Sequence, residues 1–158
     1  MSIQRLLIII LFFVTSAIQL HAQDMTNARL EKIISSLSDT IIGQNGAWEF
    51  RIGDLPMICI TDENHNRMRI VAPIAEMKDI TVEQMKTAME ANFHSALDVK
   101  YAISDEVMWV VYIHPLKELQ NEQTLDAIRQ VYNAVLTFGT SYTSTELSFP
   151  KTKKEKRS

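Results

Sequence analysis

The hydrophobic pattern opens with an unbroken apolar run and then takes on helical and strand-like periods. Over residues 26–42, apolar side chains recur at the three- and four-residue spacing of one helical face. The following Gly43-Gln44-Asn45-Gly46 segment predicts the end of that helix. The same spacing recurs over residues 81–97, where Thr81 can cap the start, and over residues 119–138. The sequence therefore predicts three helices.

Five segments have the period or composition of β-strands. Residues 47–53 alternate between apolar and polar side chains, which indicates a half-buried strand. Residues 57–62 and 67–73 are two further strands joined by a polar turn, and residues 99–103 and 107–113 form a hairpin. The chain order α-β-β-β-α-β-β-α predicts an α+β fold, a five-stranded antiparallel sheet with helices mainly on one face.

Register predicts which strand residues face the helices. If Asp62 lies opposite Arg67, the helix-facing side of the second and third strands is wholly apolar. In the hairpin, a two-residue loop would place Trp109 beside Lys100, whereas the three-residue loop Ser104-Asp105-Glu106 keeps the apolar residues together and is preferred. The hairpin residues then expected to face the helices are Val107, Trp109, Val111 and Ile113.

An apolar set is left on the outer face of the predicted sheet, away from the helices. Such a patch indicates a surface that is covered by another part of the chain, by a second copy or by a partner. The candidate partner-binding residues are Ile58, Ile60, Val71, Met108, Val110 and Tyr112.

The amino-terminal pattern predicts export. Residues 1–22 combine an early Arg5 with an apolar run that is too short to span a bilayer, which is typical of a secretory signal peptide. We expect cleavage after Ala22, with cleavage after Ala17 or an uncleaved anchor as alternatives. The rest divides into a single domain over residues 23–142 and a flexible Ser/Thr-rich and basic tail over residues 143–158, placed in the periplasm or secreted.

Charge and residue content argue against several function classes. Residues 23–150 carry 10 Lys and Arg against 18 Asp and Glu, net −8, and residues 151–158 carry 5 against 1, net +4. A domain with this net negative charge lacks the basic surface that binds nucleic acid. Cys59 is the only cysteine, so no internal disulfide is possible.

No motif for catalysis or for a metal is present in the pattern. Asp62, Asn64 and Asn66 reproduce the first half of a calcium loop, but Arg67 stands where the loop needs Gly and Pro73 where it needs Glu. A hairpin turn explains these residues. The histidines lack zinc-ligand spacing. We therefore expect no enzyme, no metal site and no cofactor.

The element order and four local segments carry a resemblance to a known fold. The segments are Trp48-Glu49-Phe50, Leu55-Pro56-Met57-Ile58, Arg69-Ile70-Val71-Ala72-Pro73-Ile74 and Val110-Val111-Tyr112-Ile113. In these features the chain resembles the type III secretion chaperone-like fold, and within it the bacterial sensory transduction regulator family. The resemblance implies a non-enzymatic protein that binds other proteins, often as a dimer. The predicted leader departs from the cytoplasmic setting of those chaperones.

The combined expectation is an exported protein-interaction or chaperone-like module. It would bind a protein partner or itself through the sheet, by its outer face or by addition of a strand at an edge. The alternative is a small-molecule or lipid carrier, whose apolar pocket would lie between the sheet and the helices beside Trp48, Phe50 and Trp109.

Overall fold

The first helix begins at a threonine cap and is shorter than the pattern predicts. The structure is a computed structural model that describes residues 24–149, and α1 spans Asn27–Leu37. The Thr26 hydroxyl accepts a hydrogen bond from the Arg29 amide at 3.3 Å, which satisfies one of the amides that a helix start leaves without an internal partner. The predicted signal peptide lies outside the described residues.

A strand that the hydrophobic pattern does not predict follows α1. Strand β1, Thr40–Gln44, pairs antiparallel with β2, Ala47–Ile52. Asn45 and Gly46 join them with φ values of 54° and 90°, so this segment is a hairpin turn and not a helix stop. Asn-Gly is strongly favoured in such turns, and the β-branched Thr40-Ile41-Ile42 run favours a strand. The prediction of five strands is therefore wrong, because the sheet has six.

Strands β2 to β4 form the meander that the pattern predicts. They are β2, β3 (Leu55–Asp62) and β4 (Arg67–Glu76), and Asp62 lies opposite Arg67. Seven helix-facing side chains of this meander are at most 2% exposed, and burial of each large one contributes about 2 kcal/mol to folding. They are Trp48, Phe50, Met57, Cys59, Met68, Ile70 and Ala72.

Helix α2 connects the meander to the second hairpin. After a short 3₁₀ turn, Met77–Asp79, α2 spans Val82–His94, and Thr81 and Gln84 form a capping box at its start. Strands β5 (Lys100–Ser104) and β6 (Val107–His114) follow. The strand order is β1-β2-β3-β4-β6-β5, so β6 is inserted between β4 and β5.

The β5–β6 turn has two residues, and the three-residue loop predicted there is wrong. Ser104 lies opposite Val107, which leaves only Asp105 and Glu106 in the turn, with φ values of 51° and 58°. Both are left-handed, as a type I′ turn requires, although neither is Gly or Asn. The shift of one residue turns every side chain of β6 to the opposite face from the one predicted.

Helix α3 and the segment after it complete the helical layer. α3 spans Asn121–Leu136 and packs on β4 and β6, while α1 contacts β1 and β2 and α2 contacts β5. The Tyr101 hydroxyl donates a hydrogen bond of 3.0 Å to the Ala134 carbonyl, which ties β5 to α3. Beyond α3, Ser144 is fully buried and its hydroxyl donates to the Ala96 carbonyl at 2.8 Å. All three helices therefore lie on one side of the sheet.

Candidate functional site: the open face of the sheet

The side of the sheet that points away from the helices, here called the outer face, is not covered by any described element. Its side chains come from all six strands, and within residues 24–149 none of them is fully buried. The outward residues of the central strands are Ile58 and Ile60 of β3, Arg69, Val71 and Pro73 of β4, and Val107, Trp109, Val111 and Ile113 of β6.

An apolar row crosses the middle of the outer face. Ile58 lies opposite Val71, and Val71 lies opposite Val111, so three branched side chains adjoin on the central strands. All three are half-buried by one another. Ile60 and Ile113 extend the apolar area on either side of Arg69 and are 45% and 59% exposed. This contiguous area of branched aliphatic side chains is the main uncovered apolar surface of the sheet.

The structure divides the predicted partner-binding set between the two faces. Ile58, Ile60 and Val71 lie on the outer face, where the sequence placed them. Met108, Val110 and Tyr112 instead face the helices and are 0%, 0% and 6% exposed. Placing these three on the outer face was wrong, because the two-residue turn reverses the faces of β6. Their outward positions are held by Val107, Trp109, Val111 and Ile113.

A shallow depression of about 250 Å³ lies on the outer face beside Trp109. Pro56, Pro73 and Ile58 line it together with Arg51. The Trp109 indole nitrogen donates a hydrogen bond of 3.1 Å to the Ser104 carbonyl, which fixes the ring at this edge of the depression. Rigid, amphipathic aromatic surface of this kind is enriched where proteins meet partners.

The Trp109 side chain lies on the opposite face of the sheet from Trp48 and Phe50, with which the carrier alternative groups it. Trp48 and Phe50 are 1% and 2% exposed within the core, on the helix-facing side of β2. Trp109 is on the outer face. The sheet therefore separates the Trp109 ring from the rings of Trp48 and Phe50.

Charged side chains surround the apolar row without dominating it. Arg51 and Arg69 stand on the outer face with Glu49, and all three are exposed. The Arg51 guanidinium donates to the Asp54 carbonyl at 2.6 Å. The centre of the outer face thus carries no excess of acidic groups, although residues 23–150 have a net charge of −8. The outer face therefore has an apolar centre, and the charged residues named here give its surroundings a small positive charge.

The two edges of the sheet differ in how many backbone hydrogen-bonding groups they leave free for an added strand. At the β5 edge, the Asn92 amide accepts from the Tyr101 N–H at 2.7 Å and donates to the Tyr101 carbonyl at 3.1 Å. Asn92 of α2 thereby takes the place of a neighbouring strand at that residue, a device that blunts an edge. At the other edge, β1 is short and presents Ile42, which is 74% exposed.

A second apolar surface lies on α2, where the sequence predicts a buried stripe. Val82, Met89 and Phe93 are 77%, 45% and 80% exposed. The buried face of α2 consists of the small residues Ala88 and Ala91 instead. The small alanine side chains let the helix approach the sheet closely. The larger apolar residues of α2 have the spacing of a buried helical face, but they lie on its exposed side.

The described residues contain neither a metal-binding group nor a membrane-spanning helix. Between residues 24 and 149, no three His, Cys, Asp or Glu side chains are grouped so that they could hold a metal ion. No helix in that part of the chain has the length and apolar content needed to cross a bilayer.

Comparison with known proteins supports the chaperone-like fold. A chain of the solved HopA1–SchA chaperone–effector complex is similar in structure, with a TM-score of 0.55 and 11% sequence identity, over 69% of this chain and 88% of that one. At this identity the likeness concerns the fold. No family model matches the chain, including any for the sensory transduction regulators, and no curated protein matches it.

Proposed function

We propose that this protein is an exported, non-enzymatic, chaperone-like module that binds a protein partner, or a second copy of itself, through the outer face of its sheet. The observation that carries the proposal is the apolar row of Ile58, Val71 and Val111 on a six-stranded sheet whose helices all lie on the other side. The fold likeness to a chain of a chaperone–effector complex supports a protein as the ligand.

Physical chemistry favours the outer face over the edges as the main contact. Burial of apolar surface is the dominant favourable term in protein association, and the central row with its flanking Ile60 and Ile113 offers such surface. The Trp109 ring supplies a rigid aromatic anchor beside a depression that a partner side chain can fill. Asn92 already occupies part of the β5 edge, so strand addition would use β1.

Export forms part of the proposal and rests on the predicted signal peptide. The leader would place the mature domain in the periplasm or outside the cell. In that setting the partner is another envelope or secreted polypeptide. A stable core without disulfides is compatible with this setting, because a domain of this length can bury enough apolar surface to fold on its own.

The test replaces Val111 with Glu in the centre of the outer face. A charge at this position must be desolvated when a partner covers it, so we expect partner affinity to fall at least about tenfold. Val82→Glu makes the same chemical change on exposed α2 and serves as the matched control. Affinity capture from the host envelope fraction and light scattering after gel filtration would compare both variants with the wild type.

Three results distinguish the possibilities. Loss of the same captured partner, or of the dimer mass, in Val111→Glu but not in Val82→Glu supports the outer face. Loss in Val82→Glu alone moves the interface to α2 and contradicts the proposal. Unchanged capture and mass in both variants also contradict it. Circular dichroism must show that Val111→Glu is folded, and Ile60→Glu at a more exposed site of the outer face is the second variant if it is not.

A further inference from the structure

A polar cleft opens at the edge of β6 where β5 no longer covers it. β5 begins at Lys100, which lies opposite Val111, so the end of β6 has no strand on that side. α3 and the loop before β5 form the other walls of a cleft of about 490 Å³. This volume is within the range of small-ligand sites. The residues that line it and carry polar groups are Asp98, Lys100, Tyr112, His114, Gln123 and Asp126.

A buried glutamine holds two carboxylates at this cleft. The Gln130 side chain is 2% exposed, and its amide nitrogen donates to Asp126 at 2.8 Å and to Asp98 at 3.0 Å. Its amide oxygen accepts from the Asp98 backbone N–H at 3.2 Å. Two negative groups are thereby fixed on either side of one nitrogen, and each carboxylate keeps further acceptor capacity toward solvent.

The Tyr112 hydroxyl is the independent observation that points to a ligand. The Tyr112 side chain is 6% exposed and lines the cleft, and no residue within 24–149 hydrogen-bonds its hydroxyl. Burial raises the pKa of Tyr112, and the nearby carboxylates of Asp98 and Asp126 raise it further, so the phenol faces them in its protonated form. The ring is buried while the hydroxyl opens into the cleft, where a ligand can supply the partner that the protein does not.

The remaining walls suit an organic cation better than a metal ion. Calcium takes six to eight oxygen ligands, and two carboxylates with one phenol fall well short of that number. Tyr112 and His114 both line the cleft, with ring centroids 6.1 Å apart and planes within 3° of parallel. Aromatic surface beside carboxylates attracts ammonium and guanidinium groups.

The basic residue at the cleft is already engaged elsewhere. The Lys100 ammonium donates to the carbonyl oxygens of Leu97 and Asn92, the latter at 3.1 Å. Its charge offsets part of the field of Asp98, and the second carboxylate, Asp126, stands on α3. The His114 Nδ1 is 2.7 Å from the Pro115 carbonyl oxygen and is also engaged.

We propose that this cleft binds an organic cation, an ammonium or guanidinium group, between the Asp98 and Asp126 carboxylates and the Tyr112 hydroxyl. The cation can come from a free polyamine or from a basic side chain of a polypeptide. The proposal does not depend on the outer face, which lies on the other side of β6. Tyr112 therefore has a binding role on the opposite side of the sheet from the one that its sequence pattern predicts.

The test uses protein isolated from its own host. It is titrated with spermidine and, separately, with a short peptide whose only charged side chain is one arginine. Amide chemical shifts of Asp98 and the side-chain amide of Gln130 report the site. We expect at least one probe to shift these signals with a dissociation constant of about 1 mM or below. Saturation by spermidine alone identifies a free amine, and saturation by the peptide alone identifies a polypeptide side chain.

Variants separate the site from general charge attraction. Tyr112→Phe removes only the hydroxyl and should weaken binding about fivefold. Asp98→Asn with Asp126→Asn keeps acceptor oxygens for Gln130 and should weaken it at least about tenfold. Asp54→Asn with Asp79→Asn changes the net charge equally at exposed positions away from the cleft and should leave binding unchanged.

Two results would overturn the proposal. One is the absence of site-specific shifts with both probes at millimolar concentration. The other is equal weakening by the two double variants, which would mean that the probes respond to net charge alone. If the cleft double variant does not fold, Tyr112→Phe and the wild-type shift map decide between the same outcomes. Loss of outer-face binding in Val111→Glu would leave these titrations unchanged, so the two proposals fail separately.

Discussion

At the scale of single residues, Cys59 carries a thiol that is unreactive in the folded chain. It is fully buried on the helix-facing side of β3, and burial raises the pKa of its thiol from 9.0 to about 12. The thiolate is the reactive form of cysteine, so both access and ionisation protect it in the folded chain. This free cysteine is thereby kept from forming disulfides between molecules.

We predict that Cys59 reacts with Ellman's reagent only when the chain unfolds. Its folded pKa is higher than its unfolded pKa, so its contribution to stability is complete below about 9.0 and is lost as pH rises toward 12. Unfolding free energies of wild type and Cys59→Ala, measured across this window, should therefore converge as pH rises. Rapid labelling under native conditions at mildly alkaline pH would contradict the prediction.

At the scale of elements, the β5–β6 turn determines the faces of β6. Seven consecutive apolar residues, 107–113, contain no polar side chain that marks the solvent side, so the pattern alone could not choose between the faces. The length of the turn determines the faces of β6, and this turn lacks the Gly that is typical of a type I′ turn. Where β3 and β4 carried Arg69 and the Asp62–Arg67 pair, register and faces were predicted correctly.

The same reasoning explains the missed strand β1. Ile41 continues the helical spacing of α1, and the segment from Gly43 to Gly46 has the composition of a helix stop. The Asn45-Gly46 pair was the available signal for a hairpin, because its residues tolerate positive φ. The cleft at Tyr112 could not be found from sequence, since Asp98, Gln130 and Asp126 are brought together only by the packing of α3 beside the start of β5.

We predict that Glu106→Gly stabilises the fold by about 1 kcal/mol. Glu106 has a φ of 58°, a conformation that costs an L-residue about 1–2 kcal/mol and costs Gly little, less the entropy that Gly loses on folding. Urea unfolding monitored by tryptophan fluorescence would measure the change.

Glu106→Ala is the matched control for this turn. It removes the same charge but keeps the Cβ atom that makes positive φ unfavourable. Both variants retain the backbone carbonyl of residue 106, which accepts from the Met77 N–H at 2.8 Å. Equal stability of the Gly and Ala variants would mean that charge, and not backbone conformation, limits this turn.

At the scale of the whole molecule, the division into a covered and an uncovered side of the sheet organises both proposals. α1, α2 and α3 cover one side and leave the outer face open, which is where we propose that a protein partner binds. The packing of α3 at the β6 edge creates the cleft for a small cationic group. One strand, β6, therefore contributes Val111 to one candidate surface and Tyr112 to the other.

We predict that the exported protein lacks residues 1–22. The apolar run of the leader is too short to span a bilayer, so signal peptidase cleavage is expected in place of anchoring. The intact mass of the protein from the host envelope should match a chain that begins at Gln23. A mass that begins at Ile18 would move the cleavage site, and the full mass in the membrane fraction would contradict cleavage.

The strand order has a further consequence for how the chain reaches its native state. β1 to β4 are consecutive and pair with their neighbours in the chain, whereas β6 is separated from its partner β4 by α2 and β5. Until β6 pairs with it, β4, ten residues long with an apolar face, is an open edge. Such an edge can template intermolecular pairing, so a partly folded chain in which β6 has not yet docked is exposed to aggregation.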